Sequence, residues 1–262
     1  MKAKTNGIET YYELHGKEGL PWLVLSHSLA CSVRMWDEQI AAFRDRYRIL
    51  AYDTRGHGGS DAPAGAYTLE LLADDLKALL EHLRVARAHY CGLSMGGMIG
   101  QTYALKYPGM FASLTLADTT SRIPAEALPV WQDRIRTAGS QGMQPLVEPT
   151  LARWFTEPYR KAQPQTMRRI GDLIASTPVA GYAGCCQAIP KINLTSRLKE
   201  IRCPMLILVG EDDPGTPVAM SKEIQENAPG SKLVVLPHAA HLSNIEQSGG
   251  FNRALDEFLK TH

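Results

Sequence analysis

The sequence predicts an α/β fold, in which a mostly parallel, doubly wound sheet carries a helical cap inserted after one of its strands. Three features of the chain predict it. Short, nearly unbroken apolar runs recur along its length, amphipathic stretches lie between them, and the alternation lapses over residues 119–199 before it resumes. Apolar runs without polar alternation suit strands buried on both faces, as in a covered parallel sheet. Helices between such strands are the layers that would cover it.

The first segment, Ile8 to His15, is β-prone and roughly alternating, which predicts an outer antiparallel strand. The buried-strand runs follow at Trp22–Leu25, Ile49–Tyr52, His89–Leu93, Leu114–Ala117, Met205–Val209 and Leu233–Leu236. Between the second and third of these, Thr68 to Leu83 reads as a helix, with Leu69, Leu72, Leu76, Leu79 and Leu83 on one stripe and Asp74, Lys77 and Glu81 opposite. Met98 to Tyr107 is helix-like, and Thr216-Pro217 reads as an N-cap followed by proline at the first helical position. Residues 1–118 and 200–262 are therefore expected to form the core, and residues 119–199 a cap. That central stretch holds eight prolines and helix-period patches but no buried-strand run.

Composition narrows the class. The chain has 262 residues, 44% apolar and 21% charged, enough for one sizeable core with a small appended subdomain. Its net charge of +1 gives no global field toward nucleic acid or an anionic membrane. The N-terminus is polar, and no stretch approaches the ~20 apolar residues that cross a bilayer, so the expected location is the cytoplasm. Five cysteines, none in C-x-x-C spacing, read as free thiols, and without HExxH or a second Cys/His cluster no metal is expected. Charge is uneven, however. Residues 119–199 carry eight Arg and three Lys against five acids, so a basic cap sits on an acidic remainder. That asymmetry suits either an anionic substrate entering beneath the cap or a solvated helical face.

Gly92-Leu93-Ser94-Met95-Gly96 follows one strand run and precedes a helix-like one. A turn this sharp strains the serine, and glycines two before and two after it relieve the clash, leaving the hydroxyl exposed at the C-terminal edge of the sheet. Such a serine needs a base and a group to orient that base. The run Gly210 to Pro217 supplies Asp213 after one strand, and His238 to Glu246 supplies His241 after the last strand. The order Ser94, Asp213, His241 is that of α/β-hydrolases. Asp118 is the alternative acid. Asp212 and His238 are alternatives of less suitable placement, and His57, in Arg55-Gly56-His57-Gly58-Gly59-Ser60, reads as a structural turn residue rather than a catalytic one. An oxyanion would be met by the backbone N–H of Met95 and by that of Leu29, in the loop after Trp22–Leu25.

The motifs Leu25-Ser26-His27-Ser28-Leu29, Tyr52-Asp53-Thr54-Arg55-Gly56-His57-Gly58, Cys91 to Gly97 and His241 to Glu246 resemble those of the 3-oxoadipate enol-lactonases. These are α/β-hydrolases of aromatic-compound catabolism, in the β-ketoadipate pathway. The similarity runs from end to end and includes Arg153-Trp154-Phe155-Thr156 and Gly181-Tyr182-Ala183 in the cap. It implies hydrolysis, without a cofactor, of a five-membered enol-lactone bearing a carboxylate. The departures are His27 and Ala30, where such enzymes commonly have Asn and Gly, with Cys31 beside them. Arg122, Arg134 and Arg153, near Trp131 and Trp154, are the candidates to hold that carboxylate. A broader-range carboxylesterase or lactonase would share the triad and differ in its pocket. A small-molecule receptor that keeps the triad and signals through a moving cap belongs to another class, and the cap's sequence offers no obvious apolar patch for its partner.

Overall fold

The computed structural model describes residues 1–262. Eight strands form one sheet: β1 (Lys2–Thr5), β2 (Ile8–His15), β3 (Trp22–Ser26), β4 (Arg48–Tyr52), β5 (Ala88–Leu93), β6 (Phe111–Ala117), β7 (Met205–Gly210) and β8 (Lys232–Leu236). Their order is β1-β2-β4-β3-β5-β6-β7-β8. β1 pairs with β2, and β2 with β4, antiparallel; the other pairs are parallel. The central strands β3, β4, β5 and β7 are apolar because both faces are covered, and Leu23, Ile49, Leu93 and Ile207 are fully buried.

The covering helices are α1 (Asp37–Phe43), α2 (Leu69–His82) and α3 (Met95–Lys106) before the insertion. α2 begins where the sequence predicts, with the Thr68 hydroxyl accepting the Leu71 N–H at 3.0 Å, and Leu69, Leu72, Leu76 and Leu79 are buried. Between β6 and β7 the chain makes α4 (Leu128–Gln141), α5 (Val147–Trp154), α6 (Glu157–Ala162), α7 (Pro164–Ser176) and α8 (Val179–Ala188). α9 (Val218–Asn227), α10 (Ser243–Glu246) and α11 (Ser248–Leu259) complete the fold. No helix is long and apolar enough to cross a membrane. All five cysteines are unpaired, and Cys31, Cys91, Cys185 and Cys186 are buried.

Two local expectations need correction. α3 starts three residues before Met98, directly at the strained turn, because Ser94 itself is the N-cap. Thr216 does not cap α9. That helix begins at Val218, and the Thr216 hydroxyl donates instead to the Asp213 carboxylate at 2.6 Å, since an ionised acceptor makes the stronger bond.

The insertion is tied to the core by backbone. Gly181 of α8 lies so close to Gly56 that a Cβ on either would come within 2.0–2.4 Å of the other's main chain. The Leu242 N–H donates to the Trp154 carbonyl at 3.1 Å, and the Thr156 N–H to Glu246 at 3.0 Å. Beneath Gly56 the Arg55 guanidinium makes two bonds to Asp75 of α2, at 2.7 and 2.6 Å, and Asn6 donates to the same carboxylate. Both charged side chains are nearly inaccessible, so removing one leaves the other buried and uncompensated. Asp75→Ala is expected to lower unfolding stability by about 3–5 kcal/mol, measured by chemical denaturation.

Candidate active site

In the strand order, β3 leads to a neighbour on one side and β5 to a neighbour on the other. The crevice beyond the carboxyl ends of two such strands is where doubly wound sheets hold ligands. Ser94 sits there, at the end of β5, with φ 55° and ψ −114°. A non-glycine residue with positive φ is strained and persists only when its surroundings fix it. Here they do. The Ser94 N–H donates to the Ala117 carbonyl at 2.9 Å, and the Thr119 hydroxyl donates to the Ser94 carbonyl at 2.7 Å. A Cβ on Gly96 would stand 2.1 Å from the Ser26 carbonyl oxygen, and one on Gly92 would stand 2.4 Å from Gly96.

Three predicted site residues come together in one line of hydrogen bonds. His241 Nε2 is 2.9 Å from Ser94 Oγ, and His241 Nδ1 is 2.7 Å from Asp213 Oδ2. Asp213 also accepts the N–H groups of Gly215 and Thr216, at 2.7 and 3.0 Å. Burial works to raise the Asp213 pKa, but the charge and hydrogen bond of His241 and the bonds from Thr216 outweigh it and hold the carboxyl below its usual range. The arrangement can take a proton from the serine and stabilise the resulting imidazolium.

The alternatives lie elsewhere. Asp118 accepts the Gly210 N–H at 2.8 Å and the Ser243 hydroxyl, touching neither nitrogen of His241. Complete burial, reinforced by the nearby Asp213 charge, pushes its pKa well up. His238 and Asp212 are exposed outside the crevice beside Glu211. The N–H groups of Leu29 and Met95 donate to no group of the protein. Met95 owes this to its position in the first turn of α3, where N–H groups have no intrahelical partner.

The loop carrying Leu29 rests on two buried histidines. His27 Nδ1 is 2.7 Å from the Ser28 carbonyl, and its Nε2 accepts the Thr54 N–H at 2.9 Å. His57 Nε2 accepts the Ala30 N–H at 3.0 Å, with Nδ1 facing the Arg55 carbonyl. Burial lowers the His27 pKa to about 4. Burial, with the neighbouring His27, lowers that of His57 to about 3. Nothing in the composition signals this pairing; the sequence marks His57 only as a turn residue.

Ser94 and His241 open onto a cavity of about 280 Å³. Trp131 and Arg134 of α4 and Arg153 and Trp154 of α5 line it, and no acidic residue does. The Arg134 guanidinium lies over the Trp131 ring, 4.5 Å from its centroid. Arg153 makes one bond, to the Thr150 hydroxyl at 3.2 Å. Burial, and then the charge of Arg134, lower its pKa to about 10. The acids Asp133 and Glu157 pair instead with Arg136 and Lys161. Arg122 does not join the group. It turns to the surface and pairs with Glu223 at 2.7 Å, because the antiparallel bridge from Arg122 to Asn193 fixes its backbone at the neck of the insertion.

The comparisons agree with this architecture. Residues 21–248 match the family described as alpha/beta hydrolase fold. The chain is 37% identical to 3-oxoadipate enol-lactonase 2 of Acinetobacter baylyi, over 95% of this chain and 92% of that one. It superposes on the enol-lactonase from Burkholderia xenovorans LB400 with a TM-score of 0.96 at 37% identity, covering 99% of this chain and 100% of the other. A thermophilic esterase from Thermogutta terrifontis, solved with malate bound, gives a TM-score of 0.93 at 30% identity, covering 100% and 98%.

The buried histidines predict an acid-side loss of stability. Unfolded histidine titrates near pH ~6.5. Between that pH and about 4 for His27, or about 3 for His57, the unfolded chain holds protons the folded one excludes. Stability contributed by their neutrality is intact above pH ~6.5 and falls as pH drops through that window. Asp53, raised to about 6 by burial, acts oppositely in wild type and variant alike. The fall in Tm from pH ~7 to pH ~4.5 is therefore expected to be smaller in His27→Asn than in wild type, measured by thermal unfolding.

Proposed function

The chain belongs to the α/β-hydrolase family, and from that premise we propose that it is a serine hydrolase of a small anionic lactone, with the enol-lactone of 3-oxoadipate as substrate. One observation carries the choice. Arg134 and Arg153 share the cavity of Ser94 and His241, and neither has a carboxylate partner. A partly desolvated cation without a counter-charge is unfavourable until an anion meets it. Two such cations, one able to approach bidentately, suit a carboxylate that fixes the lactone carbonyl against Ser94. The curated relative and the Burkholderia xenovorans structure, both called enol-lactonases, support the same choice.

In this reading His241 Nε2 takes the Ser94 proton as Oγ attacks the lactone carbonyl. Asp213 holds the imidazole through Nδ1–H and steadies its positive charge. The tetrahedral oxyanion receives the N–H groups of Leu29 and Met95. Collapse breaks the ring C–O bond, and the departing enol oxygen takes the proton from His241, leaving the acyl group on Ser94. Water, giving a proton to His241, then attacks the acyl carbonyl. Collapse breaks the bond to Ser94 Oγ, which takes that proton back from His241, and the product leaves as a dicarboxylate. Ser94→Ala is expected to lower kcat about 10⁶-fold, and Asp213→Asn about 10⁴-fold by favouring the wrong imidazole tautomer, both in steady-state assays. Asp118→Asn is expected to stay far closer to wild type, and the reverse order would reassign the acid.

A second reading, hydrolysis of neutral esters over a broader range, is favoured by the partly exposed apolar side chains Ile123, Val130 and Met220 on the cavity wall. The two are separated by comparing 3-oxoadipate enol-lactone with p-nitrophenyl acetate. Arg134→Ala or Arg153→Ala is expected to reduce kcat/KM on the anionic lactone about tenfold or more, the worth of a charged hydrogen bond. The neutral ester should be nearly unaffected. Equal losses on both substrates would favour the broad esterase.

A further inference from the structure

Leu29 is bracketed by imidazoles that bond only to backbone. A carbonyl oxygen can only accept, so the 2.7 Å contact from His27 Nδ1 to the Ser28 carbonyl requires the proton on Nδ1. Nε2 is then bare, which agrees with its accepting the Thr54 N–H. The Ser28 carbonyl and the Leu29 N–H are opposite ends of one planar trans peptide. Fixing the carbonyl therefore fixes where the N–H points. Drawing electron density toward the carbonyl oxygen also makes that N–H a stronger donor, since hydrogen bonds in series polarise one another. His57 holds the next peptide through the Ala30 N–H, so Leu29 cannot swing about either side.

We propose that His27 is a positioning residue for the oxyanion donor. Its Nδ1–H, acting through the Ser28 carbonyl, aims and polarises the Leu29 N–H, while its Nε2 ties the loop to the end of β4 through Thr54. This rests on the assignment of the Leu29 N–H as an oxyanion donor. The two nitrogens do separable work, and that gives the test. An asparagine amide nitrogen reaches about where Nδ1 stands, and a glutamine amide oxygen about where Nε2 stands. His27→Asn keeps the bond to Ser28, and His27→Gln keeps the bond to Thr54.

Steady-state kinetics on 3-oxoadipate enol-lactone or p-nitrophenyl acetate, whichever the protein turns over faster, reads the difference. His27→Gln is expected to lower kcat about tenfold or more with KM within about twofold, a fraction of the 10²–10³ lost with a whole oxyanion donor. It should weaken an alkylboronic acid, which forms a tetrahedral adduct on serine, by a similar factor. His27→Asn is expected to recover kcat to within about threefold of wild type. Equal kcat in the two variants, or losses that follow Tm alone, would overturn the proposal. If His27→Gln does not fold, the wild-type protein suffices. The His27 Nδ1–H resonance should move downfield when the boronic acid adduct forms, and an unmoved resonance would equally overturn it. Retained activity in Ser94→Ala would instead overturn the underlying reading. An inactive Ser94→Ala beside a fully active His27→Gln would sink this inference alone.

Discussion

The site depends on how closely α3 approaches β3 at Gly96. With hydrogen alone as its side chain, Gly96 lies against the Ser26 carbonyl, where a Cβ would stand at 2.1 Å. The Tyr90 hydroxyl, donating to the Gly96 carbonyl at 2.7 Å, pins the turn from below. This contact forces Ser94 into its positive-φ conformation, and such strain costs on the order of 1–3 kcal/mol. The bonds to Ala117 and Thr119 resist its release. The serine hydroxyl is thereby presented to His241, and the N–H of Met95 is left unused in the first turn of α3.

The two buried carboxylates at this end of the sheet illustrate how environment divides labour between identical groups. Asp118 and Asp213 are both desolvated, and the Asp213 charge raises the cost of ionising Asp118. Asp213 faces a histidine and three further hydrogen-bond donors and is held in the charged form. Asp118 faces the Ser243 hydroxyl and main-chain N–H groups, with no cation, and its charged form is disfavoured. Their surroundings thus favour opposite states of two like groups, the charged form beside His241 and the uncharged form beside Ser243.

Much of this was legible in the sequence, and for physical reasons. Strands buried on both faces must be apolar throughout, so β3 to β7 stand out. β8 gives an apolar run of the same kind but lies at the sheet edge with Lys232 and Val235 exposed, so the expectation that it is covered on both faces was wrong. A strained turn needs glycines at fixed offsets, so Ser94 stands out too. β1 escaped notice because four residues pairing at an edge need no long apolar run. The caps and salt bridges were less legible. Thr216 has the side chain of an N-cap, and only the proximity of Asp213 redirects it. Arg122 sits directly beside the cavity-lining Ile123, yet the backbone bridge to Asn193 aims it outward. His27 and His57 lie thirty positions apart, and their shared support of one loop exists only once β3 and β4 are paired.

The Gly56–Gly181 contact divides the inserted segment into parts that tolerate change unequally. α8 is locked to the core where neither chain can accept a methyl group, and Trp154 and Thr156 bond their main chain or side chain to the loop around His241. α4, by contrast, buries only Ala138, yet it contributes Val130, Trp131 and Arg134 to the cavity wall. Substitutions there alter what the cavity admits while leaving the attachment of the insertion intact. A lineage can therefore rewrite selectivity along one helix without first having to re-evolve a stable protein.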